Sequence, residues 1–153
     1  AGNQAMPRPA TPIAALWQGL TTLREHRGDG HIAVLVGYGV GPVEAHVIKI
    51  AAAESDEKFL TGGRGWSEDD WSAARAALVA RGWLDEAGVL TPEGRRAHET
   101  FELRTDAAAL QPWTALGEER AQRLADLLTP LAQAVIDSGD LPPFLVKGFA
   151  ALD

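Results

Sequence analysis

Residues 67–96, SEDDWSAARAALVARGWLDEAGVLTPEGRR, decide the fold. Ser67 followed by three acids reads as a helix start, with Ser67 as N-cap and carboxylates in the first turn. Trp71, Ala74, Leu78 and Val79 then repeat at helical spacing up to Gly82. Trp83-Leu84 and Val89-Leu90 flank Asp85-Glu86-Ala87-Gly88, the pattern of a short two-stranded hairpin. Thr91-Pro92 opens the next helix, Thr91 as N-cap and Pro92 at the first helical position. That helix runs through Ala97 and Phe101 to about Leu110, where Gln111-Pro112-Trp113 is expected to break it.

Working outward, residues 1–12 read as an extended lead-in. From Ile13, Leu16, Trp17, Leu20 and Leu23 form a helical stripe expected to be buried, with Trp17 and Trp71 in the core. Gly28 and Gly30 are expected to end or bend this helix, with Asp29 capping a second one over Ile32–Tyr38. Pro42 opens a helix carrying Val43, Val47 and Ile50 that ends near Glu54. Residues 55–66 read as loop. A last helix from about Glu118 contains Pro130, which predicts a kink. Residues 13–138 are expected to form a single helical domain, and residues 139–153 an apolar tail docked on the core or on a partner.

The fold class is therefore mainly α: a winged-helix unit with a short two-stranded wing, flanked by additional helices. Arg81-Gly82-Trp83-Leu84 and Leu90-Thr91-Pro92-Glu93-Gly94 carry a resemblance to MarR-type proteins over about residues 42–128. The block Leu23–Ala33, with Arg64-Gly65-Trp66-Ser67 and Trp113, is similar to the C-terminal half of an actinobacterial helix-turn-helix family, itself distantly MarR-like. That family's name describes a fold and leaves activity open. The resemblance implies a further helical half ahead of this one, an expectation in keeping with the lack of an initial methionine. The absent half or a homodimer partner is thus an expected companion.

Composition narrows function. Among 153 residues there is no cysteine, which excludes disulfides, thiolate nucleophiles and cysteine-ligated metals. No stretch approaches the roughly 20 apolar residues of a membrane span, and the first 12 lack the make-up of a signal peptide. A cytoplasmic location without a membrane partner is expected. The formal net charge is −7. A recognition helix presents its N-terminal residues to DNA, and here those are Glu68, Asp69, Asp70 and Trp71. Residues 64–90 hold three basic side chains against five acidic ones, a net of −2, and the wing tip is acidic. Phosphate neutralisation supplies most of the affinity of DNA binders, so this surface is expected to bind DNA weakly or not at all.

The densest set of reactive side chains is Arg24, Glu25, His26, Arg27, Asp29 and His31. Three readings compete. It is a structural ion-pair and capping network. It is a pocket for a small polar or anionic ligand, with arginines to clamp an acid group and Trp17 and Trp66 as apolar walls. Or it is an enzyme site that uses His26 and His31 as acid/base groups or metal ligands. A His-x4-His spacing across glycines is not a specific ligand pattern, so no metal site is assigned. The cofactor is left unknown. The expected function is a non-enzymatic, winged-helix-derived domain that binds a small ligand. A MarR-like DNA-binding regulator and an enzyme subunit are the alternatives. His46 and His98 are taken as ordinary helix residues.

Overall fold

A computed structural model describes residues 5–141, apart from 56 and 64. The chain forms two compact units that divide between residues 110 and 111. Among the described residues six helices follow one another: α1 (Pro12–Gly37), α2 (Pro42–Ala51), α3 (Glu57–Gly63), α4 (Glu68–Ala80), α5 (Pro92–Leu116) and α6 (Glu118–Asp137). Among the described residues no single helix is long and apolar enough to cross a membrane.

The first unit is built on α2 packed against α4. Val47 and Ile48 from α2, Leu60 from α3, and Trp71, Ala74 and Leu78 from α4 form its centre. Leu35, Val40, Leu84, Leu90 and Phe101 complete the core. Phe101, Leu78 and Val47 are almost fully excluded from water, and burying each side chain contributes about 1.5–3 kcal/mol.

The caps follow the sequence. Ser67 Oγ accepts from Asp70 N at 3.2 Å, while Ser67 N donates to the Asp70 carboxylate at 2.8 Å. The hydroxyl and backbone of Ser67 hold that carboxyl below its ordinary pKa. Thr91 Oγ1 accepts from Gly94 N at 3.0 Å and donates to the Gly82 carbonyl at 2.6 Å. One threonine thereby starts α5 and ties it to the end of α4.

The structure corrects several expectations. Gly28 and Gly30 do not interrupt α1, which is one helix of 26 residues. A glycine inside a helix costs only about 1 kcal/mol. Gly30 also permits a close approach, since a Cβ there would stand 3.0 Å from the Ala108 Cβ on α5. Asp29 is an exposed mid-helix residue and caps nothing. The expected loop at 55–66 contains the short helix α3. Pro112 does not break α5, which continues to Leu116. Proline removes one N–H and crowds the carbonyl four residues back, a loss confined here to the last turns. Pro130 lies inside α6, in the last helix expected from about Glu118.

The two-stranded wing reduces to one antiparallel bridge, Leu84–Leu90. The Asp85 carboxylate accepts from Ala87 N at 3.0 Å and Val89 N at 2.9 Å, which closes the turn locally. Thr91 at once begins α5, so no length remains for strands. The apolar stripe of early α1 is not buried either: Ile13 is 83% and Trp17 75% exposed. Trp71 does lie in the core. Most of the expected apolar tail, residues 142–153, lies outside the described residues.

Candidate functional site

Between α1 and α2 the chain turns by 100°. Gly39, at φ +65°, makes the turn in a conformation that side-chain-bearing residues avoid. Val40 plugs it from below, and Pro42 starts α2. The Glu44 carboxylate reaches back to Gly41 N at 2.9 Å. Arg81, at the end of α4, braces the elbow from the other side. Its guanidinium donates to the carbonyls of Tyr38 at 2.8 Å and Gly39 at 3.0 Å, and lies 3.9 Å from the Trp83 ring centre.

The inside of the elbow is a groove of about 510 Å³. Its walls are Ile32, Leu35 and Val36 from α1, Val40 and Pro42 at the bend, Ala45 from α2, and Trp66 just ahead of α4. His31, His46 and Lys49 supply the polar groups. Trp66 is held by its neighbours: its ring centre is 5.1 Å from His46 and 5.9 Å from Trp71, edge-on to the latter.

Behind His31 lies a polar seam between α1 and α5. His31 Nδ1 shares a 3.0 Å hydrogen bond with Oγ1 of the fully buried Thr105, and stands 4.0 Å from the Glu102 carboxylate. Arg27, one turn earlier, pairs with Glu102 at 2.9 Å and Asp106 at 3.3 Å. A second cavity of about 20 Å³, the size of roughly one water molecule, is lined by His31, Lys49, Glu54, His98 and Glu102 among apolar neighbours. There His98 Nε2 stands 3.3 Å from the Glu54 carboxylate. Burial lowers the His31 pKa first, and Lys49, Arg27 and His98 add to this against the opposing pull of Glu102. The net effect disfavours the charged ring.

Of the residues singled out in the sequence, the groove takes His31 and Trp66. Arg27 is engaged in the ion pairs of the seam. Arg24 pairs with its neighbour Glu25 at the surface. Asp29 faces solvent, and His26 turns a buried Nε2 inward that meets no hydrogen-bond partner. Trp17 lines a separate groove under the lead-in, with Met6, Pro7 and Pro9. The block thus divides between α1's surface and its seam with α5, because an unbroken helix spreads consecutive residues around its circumference. His46 and Lys49 were missed. Their signal is the i, i+3 spacing with Pro42 on one face of α2. Among the described residues no group of three or more histidines and carboxylates is placed to hold a metal ion.

The outer face of α4 is exposed at Glu68, Asp69, Ser72, Ala73, Ala76 and Ala80. Its one basic residue, Arg75, forms an ion pair with Glu57 of α3.

The chain matches the family model of a helix-turn-helix family over residues 1–142. No curated protein and no solved structure matches it.

Proposed function

The chain belongs to that helix-turn-helix family, and on this premise we propose that it is a non-enzymatic, winged-helix-derived domain that holds a small polar or anionic ligand in the elbow groove. The observation that carries this reading is the groove itself. Its roughly 510 Å³ lies within the usual range of small-molecule sites, and its apolar walls with a few convergent polar groups match their usual make-up. His31 and Trp66 remain in the assignment, and His46 and Lys49 join it. Arg27 supports the site through the seam. In this reading α4 binds DNA weakly or not at all. Its outer face opens with acids, Arg75 is paired with Glu57, and Arg81 is occupied by the elbow.

Calorimetry against a panel of small anions and neutral amphiphiles tests the assignment. Binding should be lost when Val36→Trp fills the groove from its exposed rim. Ligands that bind the variant as well as the parent would place the site elsewhere.

The family membership favours a second reading, a DNA-binding regulator. A gel shift whose affinity falls steeply with salt would support it, since released counterions mark phosphate contacts. Absence of a shift at low salt would leave the ligand-binding reading alone.

A further inference from the structure

Among the described residues no carboxylate lines the elbow groove. The chain carries 21 acidic residues against 14 lysines and arginines, so the groove runs against the overall charge. The polar side chains it takes from the described residues are nitrogen bases or cations: Lys49 at the exposed end, His46 against Trp66, and His31 at the inner wall. We propose that the groove takes an amphipathic organic anion, its apolar body along Ile32, Val36 and Trp66 and its acid group at Lys49, and that uptake is linked to a proton on His31. This rests on the ligand-binding reading above and names the class of ligand.

The linkage follows from where His31 sits. Among the described residues it is the one histidine shared by the groove and the small inner cavity. The charges around it come from each element that meets it: Arg27 on α1, Lys49 on α2, Glu54 just beyond, and His98 and Glu102 on α5, with Asp106 reached through Arg27. His46 faces the groove from α2. Burial and the nearby cations outweigh Glu102 and disfavour the charged form of His31. An anion beside Lys49 offsets that cation and favours the imidazolium. Proton and anion then bind cooperatively, so affinity rises as pH falls through the ordinary histidine range. A neutral ligand of the same shape has no such dependence.

The test uses the 153-residue chain and two fluorescent probes. 8-Anilino-1-naphthalenesulfonate is an anion throughout the range used, and N-phenyl-1-naphthylamine is its uncharged counterpart. Between pH 8 and 5.5 the anionic probe should tighten about fivefold while the neutral probe holds steady. Lys49→Gln, at an exposed position, should weaken the anionic probe about fivefold and spare the neutral one. His31→Gln should bind the anion with a clearly smaller pH slope than the parent, the remainder being that of His46. If both probes bind alike at every pH, and Lys49→Gln treats them alike, the anion inference is overturned and the groove reading stands. If neither probe binds, or Val36→Trp leaves both unaffected, the groove reading falls and the inference with it.

Discussion

Replacing Gly94 with alanine should damage the fold severely although it adds one methyl group. Gly94 is buried in the first turn of α5, where that turn passes under the hairpin. An ideal Cβ there would lie 2.0 Å from the Trp83 carbonyl oxygen, 2.8 Å from its carbon and 3.0 Å from Leu90 Cδ2. The nearest atoms are backbone, so no rotamer relieves the clash. The Trp83 oxygen must retreat by about 1 Å to reach any tolerated contact. That oxygen accepts from Thr91 N at 3.0 Å, and the same threonine donates to Gly82 O. Each bond contributes about 1 kcal/mol, and overpacking adds about 1–3 kcal/mol. After the small helix-propensity gain of alanine, a net loss of about 2–4 kcal/mol is expected, a large part of the about 5–15 kcal/mol typical of a domain. Urea unfolding followed by tryptophan fluorescence measures it, with the slope checked for constancy. A midpoint shift worth less than about 0.5 kcal/mol would falsify the close-approach argument.

Gly28→Ala should stabilise by about 0.5–1 kcal/mol, since no atom lies within 4 Å of its Cβ position, whereas Gly30→Ala should gain less or lose because it meets Ala108; thermal midpoints of the two variants separate these outcomes. Arg81→Ala should cost about 1–2 kcal/mol by releasing two carbonyls of the elbow, and lysine should fail to rescue because it cannot span both and stack on Trp83; equal stability of the lysine variant would refute the bracing role. His31 is depressed in the folded state, so its contribution is present above the ordinary histidine value of 6.5 and declines as pH falls from there through the lowered folded value. Urea midpoints at pH 8 and 5.5 should therefore differ more for the parent than for His31→Gln.

Much of the α2-to-α5 region was legible because its signals are local. Ser67, Thr91 and Pro92 act within one turn of themselves, and the Trp71–Leu78 face needs only one neighbour to bury it. What failed depended on distant partners. Gly30 reads as a breaker until Ala108 is placed beside it. Asp85 reads as a wing-tip acid until its carboxylate is seen closing the turn. The exposed Ile13 and Trp17 fit the same period as a buried stripe, and periodicity alone does not say whether a face is covered. At the site, His31 and Trp66 were found by chemistry and aromaticity. His46 and Lys49 escaped because their role comes from a 100° turn between α1 and α2 that brings residues of both helices to one groove.

The Arg81 brace also makes the elbow a joint with a lever attached. Its two hydrogen bonds run from the last turn of α4 to the two carbonyls at the apex of the bend. Any guest that pries α1 from α2 must stretch those bonds and pull on the end of α4. Work done on α4 returns to the groove by the same route, with equal free energy in both directions. If the groove takes a guest, those two bonds are the direct link through which it would bear on the end of α4.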